Sequence, residues 1–290
     1  MKILLLGHTG QLGQCLFDKL ENSNNEVIYF NREQLNISDL DGTSSKIKAI
    51  SPNLIINASA YTAVDMAEEN QKTANIINNI AVSNIADICK KLGCWLIHIS
   101  TDYVFDGKSD FPYKEDDKTN PQSIYGKTKL NGELAIQSSN CNYIIIRTAW
   151  LFSEYGNNFL KSMLKLGATK NELKIIGDQF GCPTYAMDLA GAIVKIIPQL
   201  NMHNSKGLYH FCSDEPCSWY DFAIEIFNQA KIKNFKTPKI VKSIETNTYP
   251  SLVKRPAYSV LDSSKIKDCF GVNAPNWRIG IASSLSKLKP

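Results

Sequence analysis

Tyr125 and Lys129, in the run Tyr125-Gly126-Lys127-Thr128-Lys129, carry the sharpest chemical signal in this chain. On a helix, positions i and i+4 share a face, so phenol and amine point the same way. That pair suits reduction of a ketone, in which hydride goes to carbon and a proton must reach oxygen. A free phenol with a pKa of about 10 gives up its proton reluctantly near neutrality. A neighbouring ammonium stabilises the phenolate and makes the phenol a better acid. Proton donation of this kind is worth roughly 10²- to 10⁴-fold in rate. A hydroxyl beside the phenol completes the set. The apolar run Trp95–Ile99 ends in Ser100-Thr101-Asp102-Tyr103, and strand carboxyl ends in open α/β sheets face the ligand crevice. Thr101 is therefore the candidate.

Such a reaction needs a hydride donor, and the N-terminus supplies a place for one. Lys2–Leu6 runs straight into Gly7-His8-Thr9-Gly10-Gln11-Leu12-Gly13. Glycines at a strand–helix junction permit a tight turn and let backbone N–H groups approach a pyrophosphate. The helix N-terminus adds partial positive charge toward that anion. Gly7, Thr9, Gly10, Gln11 and Leu12 are the expected contacts, and Gly13 lets helix and strand pack closely. The end of the second strand, Tyr29-Phe30-Asn31-Arg32, has no carboxylate for a ribose 2′-hydroxyl. Arg32, with Asn31, instead suits a 2′-phosphate, so NADPH is expected, with NADH left open. Ala58, Ser59 and Ala60 follow the third strand, small enough for a cofactor to cross the sheet edge. Asn79, mid-helix, is read either as a prop for Lys129 through water or as an interhelical hydrogen bond.

Around these residues, short apolar runs alternate with helical periodicity. Ile3–Leu6, Val27–Phe30, Leu54–Asn57, Trp95–Ile99 and Tyr143–Arg147 read as buried parallel strands. Gln11–Leu20, Asp39–Ile50, Thr73–Leu92 and Ser123–Gln137 read as helices between them. This predicts an α/β fold: a doubly wound parallel Rossmann sheet with a smaller, interleaved C-terminal substrate lobe. The expected division is 1–150 for the dinucleotide and 151–290 for the substrate, with segments near 184–212 returning to the sheet. Beyond Arg147 the expected elements are helices at Phe159–Leu166, Asp188–Leu200 (ended by Pro198) and Trp219–Ala230, strands at Leu173–Ile176 and Gly207–Phe211, then a Pro-punctuated tail.

Composition narrows the setting. Of 290 residues, 43% are hydrophobic and 21% charged, enough for a core without staples. A net charge of +4 is too small and dispersed to point to nucleic acid. No apolar stretch approaches the roughly 20 residues of a membrane span. The eight cysteines form no C-x-x-C pair or metal-ligand spacing, so free thiols in a reducing cytoplasm are expected. His8, His98, His203 and His210 are scattered and read as structural, with no metal site.

These residues together resemble the dTDP-4-dehydrorhamnose reductase family, within the extended short-chain dehydrogenases/reductases. The resemblance covers nearly the whole chain. It rests on Gly7–Gly13, Ala60-Tyr61-Thr62-Ala63-Val64-Asp65, Ser100–Gly107, Tyr125–Lys129 with Gly132-Glu133, Arg147–Leu151, Asn158-Phe159, Asp178–Thr184 and Arg255-Pro256. It implies Tyr125, Lys129 and Thr101 as catalytic trio, and reduction of a C4 ketone with NADPH or NADH to give dTDP-L-rhamnose for surface polysaccharide. It implies Thr62, Val64, Asp102, Trp150 and Asn158 as contacts to a nucleotide-sugar substrate. Arg255 would meet the diphosphate, which arginine binds in bidentate fashion.

The chain also departs from the family pattern. Many relatives carry an aspartate after the second strand for the adenine amino group; here Asn36, before Ile37, takes the place and its amide oxygen still accepts. Some members bind Mg²⁺ at a dimer interface through carboxylates, one just after the third glycine. This chain has Gln14-Cys15 there, so metal-linked dimerisation is not expected and a homodimer stays open. A 4,6-dehydratase would need Asp then Glu beside the threonine, and Tyr103 follows Asp102. Reduction of another keto-deoxysugar nucleotide, or a non-catalytic regulatory role on the same fold, stays open.

Overall fold

Leu54–Asn57 is buried at all four positions and Ile3–Leu6 likewise, the burial of parallel strands covered on both faces. The computed structural model describes residues 1–290 except 22, 203–204 and 251–252, so His203 lies outside the described residues. In chain order the elements are β1 (Lys2–Leu6), α1 (Gln11–Leu20), β2 (Glu26–Phe30), α2 (Leu40–Ile50), β3 (Leu54–Asn57), α3 (Val64–Glu69), α4 (Gln71–Asn75), α5 (Ala81–Leu92), β4 (Trp95–Thr101), α6 (Ile124–Ser139) and β5 (Asn142–Thr148). There follow β6 (Leu151–Phe152), α7 (Phe159–Thr169), β7 (Glu172–Ile176), β8 (Phe180–Gly181), β9 (Thr184–Tyr185), α8 (Ala186–Ile196), β10 (Gly207–His210), β11 (Cys217–Ser218), α9 (Trp219–Ile232), β12 (Ile240–Ile244), α10 (Ser264–Phe270) and α11 (Trp277–Ser286).

The main sheet is parallel, in the order β10-β5-β4-β3-β1-β2. The chain leaves β1 toward β2 on one side and resumes at β3 on the other. The topological switch point, where such sheets bind ligands, therefore lies at the carboxyl ends of β1 and β3. One face is covered by α1 and α8, through Leu12, Leu16, Leu189 and Ile193 against Ile3, Leu5, Ile144 and Ile146. The opposite face carries α2, α5 and α6 over Leu4, Leu6, Ile55 and Ile145. A separate core unites α7, α9, α11 and β7, with Leu160, Phe222, Ile226, Trp277 and Ile281 at its centre. The Rossmann-type α/β fold is as expected.

Several element boundaries differ from expectation. Thr73–Leu92 is one helical run from Gln71, but a π turn at Ile76–Ile80 interrupts it, and α3 precedes it unannounced. Asp188–Leu200 starts two residues earlier and ends at Ile196, where a 3₁₀ turn containing Pro198 takes over because proline lacks the donor to continue. The tail after residue 260 forms α10 and α11. Gly271, at φ +66°, closes α10, and the Asn276 side chain caps α11 by accepting from Arg278 N. Ile266 and Phe270 of α10 pack under the main sheet. Among the described residues no helix is long and apolar enough to cross a membrane.

Candidate active site

Ser123 caps α6, its hydroxyl accepting from Gly126 N. A Cβ on Gly126 would lie 2.2 Å from Tyr103 O, so glycine lets α6 sit directly on the turn after β4. This contact brings Tyr125 and Lys129 to the end of β4, where Thr101 is the last residue. Thr101 Oγ1 accepts from Tyr103 N at 3.2 Å and donates to Asp102 Oδ1 at 3.0 Å. Thr101, Asp102, Tyr125 and Lys129 line one cavity of about 690 Å³ with Gly10, Gln11 and Leu12 of the glycine turn. The Tyr103 ring meets Tyr125 edge-on at 5.5 Å.

Burial pushes the Tyr125 phenol above its ordinary range; a hydrogen bond with Thr101 pulls it back, while Asp102 and Tyr103 push it further up. Burial takes Lys129 down to about 8, against the Glu133 carboxylate that holds it up. Lys129 is not among the groups that shift Tyr125 in this arrangement. Lys129 Nζ donates to Ile99 O at 2.6 Å and lies 3.1 Å from His98 Nε2, both on β4. Asp102, 2% exposed, is raised to about 6 by burial, against the hydrogen bond from Thr101 to Oδ1; its Oδ2 is buried with no hydrogen-bond partner among the described residues.

Among the described residues Asn79 forms no hydrogen bond to Lys129. Its Nδ2 donates to Asn75 Oδ1 within its own helix. The buried residue is Asn78, whose Oδ1 accepts from Tyr61 N and whose Nδ2 donates to Tyr61 O and Thr128 Oγ1. The π turn is the physical reason: one extra residue per turn shifts the inward face by one position. Asn78 thus ties the segment before α3 to α6.

The glycine turn is built as close packing demands. Gly7 has φ +82°, and a Cβ there would lie 2.7 Å from Ser59 N; one on Gly13 would lie 2.0 Å from Gly7 O. α1 is capped by Gly10, with no side chain bonding its first-turn N–H groups. Those donors and the helix dipole fit an anionic pyrophosphate. A second hollow of about 220 Å³ adjoins, lined by Gly7, Thr9, Gly10, Asn31, Arg32, Asn36, Ile37 and Ala58–Ala60. Arg32 is exposed at its rim, and among the described residues it forms no ion pair. The donor set therefore fits a phosphorylated dinucleotide. Asn36 Oδ1 accepts from Ser38 N at 3.2 Å and Ser38 Oγ at 2.8 Å, so its oxygen is engaged by its own turn. Gly13 itself lies beneath the turn and packs α1 on β1.

The far wall carries Thr62, Val64, Trp150, Asn158 and Arg255 as expected, and also Tyr103, Phe159 and Trp219. Trp219 opens α9 behind the Ser218–Asp221 capping box, which from sequence looks only like a helix start. Trp150 holds φ +46°, a conformation non-glycine residues adopt rarely. The Asn158 reading is corrected in one respect. Its Oδ1 accepts from Lys161 N and its Nδ2 donates to Gln11 Oε1, Ser153 O and Tyr155 O. The amide braces α7 against α1, so its polar groups are spent inside the protein. Arg255 pairs with Asp65 at 2.9 and 3.1 Å and reaches Tyr103 Oη at 3.5 Å, keeping its guanidinium at the cavity mouth.

Residues 1–289 match the family described as RmlD substrate binding domain. The chain is 41% identical over 282 residues to a dTDP-4-dehydrorhamnose reductase of Aggregatibacter actinomycetemcomitans, covering 96% of each chain. The fold superimposes with a TM-score of 0.92 on the crystal structure of a dTDP-4-dehydrorhamnose reductase from Clostridium acetobutylicum, at 40% identity and 99% coverage of both chains. It superimposes at 0.91 on the enzyme of that name from Bacillus anthracis in complex with NADP, at 34% identity and 99% coverage of both.

Proposed function

The chain belongs to the RmlD substrate binding domain family, and on that footing we propose that it reduces the C4 ketone of dTDP-4-dehydro-L-rhamnose to dTDP-L-rhamnose with NADPH. It is an NADPH-dependent oxidoreductase of nucleotide-sugar synthesis for surface polysaccharide. The observation that carries the reading is a single cavity lined together by Thr101, Tyr125 and Lys129, by Gly10–Leu12 of the glycine turn and by Trp150.

When bound, the nicotinamide supplies the hydride for C4. Tyr125 delivers its phenolic proton to the C4 oxygen, and Thr101, turning its hydroxyl away from Asp102, donates a hydrogen bond that steadies the charge left on the phenol. Lys129 holds the nicotinamide ribose and, once charged, favours the tyrosinate. Gly7–Gly13 receives the pyrophosphate, with Asn31 and Arg32 at the adenosine end. Trp150, with Thr62 and Val64, walls the sugar, and Arg255 meets the diphosphate at the mouth. Residues 1–150, with the stretch near 184–212, serve the dinucleotide, and 151–290 present the substrate. Free thiols and a nucleotide-sugar substrate favour a cytoplasmic setting.

The test is product identification. With dTDP-4-dehydro-L-rhamnose and NADPH, one equivalent of NADPH should disappear for each dTDP-L-rhamnose formed. No oxidation of cofactor, or a product epimeric at C4, would overturn the assignment.

A further inference from the structure

Behind Lys129 lies a buried chain of hydrogen-bonding groups that the reaction does not touch. Asn57, the last residue of β3, and His98 of β4 are register partners in the sheet. Asn57 and His98 are 0% exposed and Lys129 is 1% exposed. Asn57 Nδ2 lies 3.2 Å from His98 Nδ1, His98 Nε2 lies 3.1 Å from Lys129 Nζ, and Nζ donates to Ile99 O at 2.6 Å. At the other end, Ser59 N donates to Asn57 Oδ1 at 3.1 Å.

The direction of every bond in this chain follows from one fixed donor. A backbone N–H can only donate, so Asn57 must turn its oxygen to Ser59. Its NH₂ then faces His98 Nδ1, which must accept. A neutral ring with an accepting Nδ1 carries its proton on Nε2, and that N–H points at Lys129. Burial keeps the ring neutral by desolvation, holding its pKa well below the ordinary value. An ammonium has no lone pair to accept an N–H; an amine has one.

We propose that His98 is a positioning residue for Lys129: its Nε2–H donates to the lysine as a neutral amine, and Asn57 ties that state to the cofactor-lining backbone at Ser59. The inference rests on the reading of Lys129 as part of the reductase site. Protonation of Lys129 then costs the chain one buried hydrogen bond. Either the ring proton moves to Nδ1 and opposes the Asn57 NH₂, or Asn57 turns and abandons Ser59. His98 thereby opposes the ammonium beyond what desolvation alone does. The charged or titratable groups around the lysine are Tyr125 and Glu133 on α6, His98 on β4, Asp102 and Tyr103 just after it, and Arg147 on β5, which is paired to Glu133.

Two measurements decide this. Ring ¹⁵N shifts of histidine-labelled protein should show His98 as the neutral Nε2–H tautomer at pH 9–10, where Lys129 is the amine, assigned by its loss in His98→Gln. A neutral Nδ1–H tautomer across that range overturns the proposal. His98→Gln can offer its amide oxygen to an ammonium. The alkaline limb of kcat/KM, which reports the free enzyme, should therefore move up by about one pH unit, the worth of one hydrogen bond. A merely structural role would lower the melting temperature and leave the limb in place, and an unmoved limb overturns the proposal. The ring signals need no substrate, so they decide the inference even where turnover fails for reasons belonging to the assigned reaction.

Discussion

The indoles of Trp150 and Trp219 lie face to face, ring centroids 3.5 Å apart and planes 7° from parallel. The stack joins the end of β5 to the start of α9, across 69 residues of chain. Trp150 sits in a left-handed conformation, which costs of the order of 1–3 kcal/mol and persists only when its surroundings over-determine it. Trp219 is one such surrounding, and both rings line the cavity. Trp219→Ala should therefore weaken the nucleotide sugar by the worth of the stack, about 0.5–1.5 kcal/mol or roughly 2- to 12-fold in KM. Affinity for NADPH should be unchanged. Steady-state kinetics with each substrate varied in turn make the check, and an unaltered sugar KM would remove Trp219 from the wall.

Gly181 supports the same wall from behind. A Cβ there would lie 2.6 Å from the Trp150 ring, inside any tolerable contact. The indole must move or β8 must shift. Gly181→Ala is expected to raise the sugar KM at least as much as Trp219→Ala, and again to spare the dissociation constant for NADPH measured by fluorescence quenching. Gly93→Ala, at φ +69° with open space around its Cβ, is the matched control: it should cost stability and leave both constants alone.

Tyr125→Phe keeps the ring against Tyr103 and removes only the proton donor. Turnover should fall by roughly 10²- to 10⁴-fold with NADPH affinity nearly intact. A variant that still turned over at the parental rate would mean that the C4 oxygen takes its proton elsewhere.

How much of this was legible in the sequence follows from the range of the interactions. Tyr125 and Lys129 are one helical turn apart, and the glycine turn is seven consecutive residues, so spacing alone reveals them. The partners of Lys129 are not local. His98 and Ile99 reach it through the packing of α6 on β4, and Asn57 reaches His98 through strand register. The interhelical hydrogen bond open to Asn79 in the sequence is made by Asn78, because a π turn breaks the 3.6-residue period. Trp219 and Tyr103 enter the cavity from elements whose own periodicity says only helix or strand end. Asn158 and Asn36 show the converse: polar residues at the expected places, with amide groups already engaged by neighbours.

Asp102 makes stability depend on pH in a direction opposite to that of an ion-paired acid. Its folded-state pKa, about 6, lies above the ordinary 3.8 because burial disfavours the carboxylate. Between those values the native state holds a proton that the unfolded chain has released, so stability falls as pH rises through pH 4–6. Above that window the buried charge costs about 2–3 kcal/mol at most. Asp102→Asn should therefore raise the melting temperature at pH 7.5, with the gain shrinking toward zero near pH 4. Calorimetry at the two pH values tests the sign. A lower melting temperature at pH 7.5 would show that the hydrogen bond from Thr101 outweighs desolvation.

Glu133 and Arg147 form a buried ion pair between α6 and β5, Oε2 to Nη2 at 2.7 Å and Oε1 to Nε at 3.0 Å. Ser100 Oγ donates to the same carboxylate, Arg147 Nη1 lies 3.4 Å from His210 Nε2, and the guanidinium stacks over Phe105 at 5.0 Å. Losing one partner strands a charge that water cannot reach. Arg147→Met should cost about 3–5 kcal/mol in urea unfolding. The double variant Arg147→Met, Glu133→Leu removes both charges and should recover most of that loss. The recovery would not extend to the chemistry, because Glu133 is the carboxylate that holds Lys129 up against desolvation. Without it the lysine should lose its proton at lower pH, and the alkaline limb of kcat/KM should move down. A double variant as unstable as the single one would mean that Arg147 acts through its packing on Phe105 and not through its charge.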